Sequence, residues 1–241
     1  MKRLIITGGS SGIGLNLCKQ FLEDGYFIYN ISRKKPKLNH KNLINFNCDL
    51  SKIENIKKIE KKLQNLKVNA LISCAADLGE VGKLDKIDIK RWSKSFNLNL
   101  FSHVYLFKIF FNSLIKNKGI VIFFSGGGSA NAFPKFSAYS LAKTAIVRLV
   151  ENISAEYDKI FSYCIAPGPN KTRIYLNSEK FGHSVPEHKM VTPAFTYKLC
   201  SYLLKNRPIH LNGKFVHVKD DYKNKKLFTG ENFFLRRNEI R

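Results

Sequence analysis

Short apolar runs alternate along the chain with longer stretches in which apolar positions recur every three or four residues. The runs Leu4–Thr7, Tyr26–Ile31, Leu43–Cys48, Val68–Ser73, Ile120–Ser125, Ile160–Ile165 and Lys214–Val218 predict strands. They are apolar on both faces, as parallel strands covered on both sides must be. Between them the spacing of Ile13, Leu17 and Phe21, and of Ala142, Ile146, Leu149 and Ile153, predicts helices. Strand–helix–strand units in series predict a single α/β domain built on a doubly wound parallel sheet of about seven strands. That domain is expected to span residues 1–219. Two stretches break the rhythm: a long connection from Asn170 to Thr192, and a tail over 220–241 without a clear period.

Composition narrows the classes. A chain of 241 residues suits one sizeable core, and 44% hydrophobic with 24% charged residues is ordinary for a globular protein. The five cysteines are odd in number, scattered and without CxxC spacing, which predicts free thiols in a reducing compartment and no zinc site. Only Leu4-Ile5-Ile6 separate the basic start from Thr7-Gly8-Gly9, too short for the apolar region of a secretory signal. No apolar stretch reaches membrane-spanning length, so a cytoplasmic protein is expected. The net charge of +23 would favour polyanions, but the lysines are spread over helices and loops rather than gathered in a stripe with stacking aromatics. Solvated surface lysines, and no specific nucleic-acid or membrane partner, are the expectation.

Thr7-Gly8-Gly9-Ser10-Ser11-Gly12-Ile13-Gly14 follows the first strand and opens the first helix. Glycines there let the backbone turn sharply and approach a pyrophosphate, to which the helix start offers free N–H groups. This segment resembles the TGxxxGIG signature of the classical short-chain dehydrogenase/reductase family, and later motifs follow in that family's order. The resemblance covers most of the chain. It implies a Rossmann-type fold, a nicotinamide cofactor and hydride transfer between a carbonyl and an alcohol.

The second strand ends Ile31-Ser32-Arg33, followed by Lys34 and Lys35, with no acidic residue to accept from a ribose 2′-OH. A hydroxyl and a guanidinium suit a 2′-phosphate instead, so NADP(H) is expected, with NAD(H) as the alternative. Asp49, next to Leu50, matches the family aspartate near the adenine; a helix N-cap is the competing reading, although Ser51 could fill that role. Ser73-Cys74-Ala75-Ala76 replaces the family's NNAG, leaving Ala75 beside the cofactor and removing two asparagines that brace the strands. Pro167-Gly168-Pro169-Asn170-Lys171-Thr172 matches PGxxxT, in which Thr172 would bind the nicotinamide carboxamide.

Tyr139 and Lys143, four residues apart, share a helix face. A nearby ammonium, together with an oxidised nicotinamide, should bring a phenol from near pKa 10 toward the working range. Ser125 ends an apolar strand fourteen residues before Tyr139. A branch of the family has a very similar SGGG…FSAYxxxK segment, and that resemblance supports Ser125 over Ser129. Asn99 matches the family's fourth catalytic residue, with Asn97 as a substitute. The resemblance implies that Tyr139 moves the proton, Ser125 polarises the substrate oxygen, Lys143 binds ribose and tunes Tyr139, and Asn99 positions a relay water. Tyr139 and Lys143 therefore also count as cofactor contacts.

Substrate choice is expected to rest with a loop at about 170–194 and with the tail. His183 and His188 are read as loop histidines, since no further ligand set accompanies them. The tail resembles a branch of short-chain reductases encoded among surface-glycan genes, which implies a sugar nucleotide or other anionic substrate. The family also implies a homodimer or tetramer. A retired reductase fold acting as a cofactor-binding regulator, and a nucleic-acid binder, are the rival readings.

Overall fold

The computed structural model describes residues 2–228 of the chain. Seven strands form one parallel sheet in the order β3-β2-β1-β4-β5-β6-β7. They are β1 (Arg3–Thr7), β2 (Phe27–Ser32), β3 (Leu43–Asn47), β4 (Ala70–Ser73), β5 (Ile120–Phe124), β6 (Phe161–Ala166) and β7 (Phe215–His217). All seven expected strands are present, each within about two residues of its expected ends.

Alternation along the strands builds two cores. Leu4 and Ile6 face one layer with Leu17 and Phe21 of α1 (Gly12–Glu23) and Leu199 and Leu203 of α8 (Pro193–Asn206). Ile5 and Leu71 face the other, with Ile56 of α2 (Ile53–Gln64), Phe110 of α4 (Ser102–Lys116) and Val150 of α6 (Ser137–Glu156). Each such side chain, removed from water, contributes roughly 1.5–3 kcal/mol. Strand β3 departs from the expectation of two covered faces. It is an edge strand, and Ile44 remains 44% exposed.

Three further expectations are corrected. The segment Asn170–Thr192 is not all loop: α7 (Arg173–Glu179) and a 3-10 turn (Glu187–Lys189) lie within it. A continuous helical run, Ile89–Lys116, has the length and apolar character to cross a membrane. It comprises α3 (Ile89–Phe96), a π-helical turn (Asn97–Phe101) and α4, and its Leu98, Leu106 and Leu114 are packed in the core beneath the sheet. Neither Asp49 nor Ser51 caps α2; Lys52 stands at that position without a side-chain cap. The Asp49 carboxylate instead accepts from the Ser51 amide (3.1 Å) and hydroxyl (2.7 Å). Of the tail, a 3-10 turn at Lys225–Phe228 packs its Phe228 into the core. Phe233-Phe234-Leu235-Arg236-Arg237 lies outside the described residues.

Candidate active site

The turn after β1 is shaped by what its glycines cannot carry. Gly8 and Gly12 hold φ of +73° and +55°, a region that L side chains rarely enter. A Cβ on Gly14 would stand 2.5 Å from the Gly8 carbonyl oxygen, so the first turn of α1 lies directly on the loop. Gly8 packs on Ala75 and Gly12 on Thr172, each about as close as an added Cβ would allow. Asn30, a polar residue inside apolar β2, ties this turn down. It accepts from the Gly9 amide at 2.8 Å and donates to Ser32 and Asn45. The sequence reading passed over it, although a buried amide amid Phe27-Ile28-Tyr29 was the available signal.

A cleft of about 610 Å³ opens on this turn at the carboxyl ends of the strands. This is where open α/β sheets place ligands, and β1 and β4 flank the switch in strand order. Gly8, Ser10, Ser11, Gly12, Ile13 and Gly14 form one wall. Ser32, Arg33, Lys34, Asp49 and Leu50 form the far end, and Ala75 and Thr172 the near side. Arg173, which sequence reasoning did not select, also faces it. Ser32 differs from its expected role. It is buried and its hydroxyl donates to the Lys34 carbonyl at 2.6 Å, so it braces the loop rather than offering a free donor.

The lost NNAG asparagines have substitutes. Ser73 hydrogen-bonds the buried His103 ring, and the Ala75 amide donates to Thr7 Oγ1 at 2.9 Å. The bracing survives with different residues.

A second cavity, of about 540 Å³, adjoins the first and shares Ile13, Cys74, Ala76, Thr172 and Ile174 with it. Ser125, Tyr139 and Lys143 all line it, together with Pro167 and Gly168. The Tyr139 hydroxyl sits beside Gly126, and the Lys143 ammonium lies 5.6 Å from the Tyr139 ring centroid. Lys143 is 1% exposed and its Nζ donates to the Phe124 carbonyl at 2.9 Å. The Ser125 hydroxyl lies 2.8 Å from both Ser129 Oγ and the Lys143 carbonyl oxygen. Ser129 does not line the cavity, so the choice of Ser125 agrees with the geometry.

Asn99 is not brought to the lumen. It sits buried in the π-helical turn, donating to the Ser95 carbonyl at 3.1 Å and accepting from the Asp77 amide at 3.2 Å. Its link to the cavity runs through the segment at Asp77, which sequence reasoning did not identify.

Burial pushes the Tyr139 phenol up to about 12, with Cys74 adding to the rise. Burial likewise brings Lys143 down to about 8, opposed by Cys74, Cys164 and Asp77. The fold thus disfavours the Lys143 cation relative to the unfolded chain, where the group titrates near 10.5. From pH 8 to 10.5 the unfolded chain binds more protons, so this group adds stability as pH rises through that window. Lys143→Met is expected to remove that part of the slope. Urea midpoints of the cofactor-free proteins at both ends of the window check it, and parallel wild-type and variant profiles would rule it out.

The donor set fits a nicotinamide dinucleotide. The glycine turn carries no side chains that could hold a pyrophosphate away from the start of α1, and Arg33 and Lys34 line the far end of the same cleft. Asn170, which also lines the second cavity, is 4% exposed; its Nδ2 is held by the Pro167 and Gly168 carbonyls, and its Oδ1 is buried without a hydrogen-bond partner among the described residues.

Comparison with known proteins agrees. An uncharacterized oxidoreductase of Schizosaccharomyces pombe is 28% identical over 239 residues, covering 90% of this chain and 96% of its own. Benzil reductase ((S)-benzoin forming) of Saccharomyces cerevisiae is 26% identical over 255 residues, covering 91% and 97%. The crystal structure of a Saccharomyces cerevisiae short chain dehydrogenase/reductase superposes with a TM-score of 0.82 at 21% identity, covering 92% and 97%. That last likeness is one of fold. The sequence model of the short chain dehydrogenases matches residues 2–181, from β1 through α7 and so across both the glycine turn and the Ser125–Lys143 segment, and the chain belongs to that family of oxidoreductases.

Proposed function

We propose that the protein interconverts a carbonyl compound and a secondary alcohol with NADP(H). One observation carries the reading: Ser125, Tyr139 and Lys143 open on a cavity continuous with a dinucleotide-sized cleft. When bound, the cofactor supplies or accepts the hydride. Tyr139 gives its proton to the carbonyl oxygen in reduction and removes it from the alcohol in oxidation. Ser125 turns its hydroxyl from the Lys143 carbonyl to the substrate oxygen and stabilises the charge that develops there. Lys143 holds the nicotinamide ribose and favours the phenolate needed for oxidation. Asn99 acts from behind the wall, positioning a relay water through its neighbours.

The preference for NADP(H) is supported by Arg33 and Lys34 at the end of β2 and by the lack of a carboxylate there. Removing a charge-assisted contact to a phosphate costs about 1.5–3 kcal/mol, or roughly ten- to a hundredfold. Arg33→Ser should therefore raise the NADPH dissociation constant by that factor and leave NADH nearly unchanged. Fluorescence titration with both cofactors, followed by a carbonyl screen read at the reduced cofactor's absorbance, tests the assignment. Equal losses for NADPH and NADH would remove Arg33 from phosphate recognition. A homodimer or tetramer in the cytoplasm is the setting we propose, with the five free cysteines supporting a reducing compartment.

A further inference from the structure

The two cavities differ in charge. The dinucleotide cleft is faced by Arg33, Lys34 and Arg173. Beyond the shared residues, the second cavity carries a single formal charge among the described residues, that of Lys143, in a chain with 41 lysines and arginines. That ammonium is already committed, to the Phe124 carbonyl and to the cofactor ribose in the function proposed above. Among the described residues that line this cavity, no cation is left over for a substrate phosphate or carboxylate. An anion brought into such a wall would lose its hydration without a counter-charge.

Aromatic rings occupy the same wall. Phe133 lies 6.4 Å from the Tyr139 ring, centroid to centroid. Its position is fixed by the buried Phe136, stacked at 4.3 Å, and by His183, edge-on at 4.6 Å. Tyr175 packs against the other side of the cluster through His183 at 6.4 Å. His183 is neutral at physiological pH, since burial lowers its pKa. No group of three His, Cys, Asp or Glu residues that could hold a metal occurs among the described residues. Leu78, Val185 and Phe215 complete a largely apolar enclosure.

We propose that this cavity takes an uncharged aryl ketone or aryl diketone, its ring beside Phe133, Tyr175 and His183 and its carbonyl at Ser125 and Tyr139. The substrate class departs from the anionic sugar nucleotide implied by the tail's resemblance. The reason is physical: the wall supplies π-faces and apolar surface to a substrate, and no spare positive charge. The inference rests on the oxidoreductase reading for its chemistry, but not for binding.

Three small probes separate the terms: 1-phenyl-1,2-propanedione, phenylglyoxylate with the same ring and a carboxylate, and 2,3-butanedione without a ring. With NADPH, kcat/KM for the first should exceed that for the second by about a hundredfold and for the third by about tenfold. Phe133→Leu, which keeps an apolar side chain, should reduce the aryl-to-alkyl ratio by about tenfold; intact NADPH binding shows that it folds. The binding arm needs no turnover. NADPH-loaded Tyr139→Phe protein should be stabilised thermally by 1-phenyl-1,2-propanedione and not by phenylglyoxylate or a UDP-linked keto sugar. If wild type reduces no carbonyl while that pattern of stabilisation holds, the reaction assigned above fails and the binding assignment stands. Equal or tighter binding of either anion, or an unchanged ratio in Phe133→Leu, overturns the substrate class.

Discussion

Replacing Tyr139 with phenylalanine is expected to lower kcat by about a thousandfold while leaving NADPH affinity within about twofold, the split that separates a proton donor from a packing residue. The substitution deletes one oxygen and keeps the ring that contacts Phe133 and lies beside the Lys143 ammonium. The cavity wall should hold its shape, because the substitution keeps the ring, and the hydroxyl it removes lies at the cavity beside Gly126. The removed group is the only phenol in the lining besides Tyr175. Tyr175 cannot take over, since its hydroxyl accepts from the Val185 amide at 3.1 Å. Steady-state rates and cofactor fluorescence on the same preparations give both numbers. Turnover that survives at wild-type level would take the proton transfer away from Tyr139.

Gly14→Ala should do the converse, weakening cofactor binding and the fold together. The added methyl would meet the Gly8 carbonyl oxygen at 2.5 Å, the Gly8 carbonyl carbon at 2.8 Å and the Gly9 nitrogen at 3.1 Å. All three are backbone atoms in the turn, so no side chain can swing aside. Relief requires α1 to move away from β1, which opens the cradle and displaces the amides aimed at a pyrophosphate. Overpacking of this kind costs about 1–3 kcal/mol of stability. NADPH affinity should fall at least about a hundredfold, because the amides act together and only in that register. Gly82→Ala is the control: its Cβ would meet only Ile87 Cγ2, at 3.4 Å, an ordinary contact. Titration and thermal melts of the two variants decide the matter, and a Gly14→Ala protein that binds NADPH normally would show that the turn is not the pyrophosphate site.

The strands were legible in the chain because burial on both faces leaves an uninterrupted apolar run, as in Ile120-Val121-Ile122-Phe123-Phe124. Edge strand β3 was legible as a strand but not as an edge, since Leu43-Ile44-Asn45-Phe46-Asn47 does not reveal what covers it. Helix α7 escaped notice because seven residues hold fewer than two turns and give no repeat to read. That Ser125, Tyr139 and Lys143 would meet at one cavity was legible because their residue types and spacing are tied to one chemistry. Asn30 was not, because its role comes from a hydrogen bond to backbone far away in sequence. Ser32 shows the opposite failure: the right residue type at the right place turned inward to serve its own loop. The rise in the Tyr139 pKa of the cofactor-free protein was not legible for a related reason: pair spacing discloses a neighbouring charge, whereas desolvation arises only when the cavity closes.

The central claim is that Tyr139, Lys143 and Ser125 face one cavity in which hydride passes between NADP(H) and a carbonyl carbon. The most direct measurement follows the hydride itself. Wild-type protein is given NADPH deuterated at the nicotinamide C4 and an aryl diketone, and the product is examined by mass spectrometry. Deuterium on the carbinol carbon from one face of the cofactor only, lost in Tyr139→Phe, is the predicted result. Product without the label, or label that appears at the same rate in Tyr139→Phe, would contradict it.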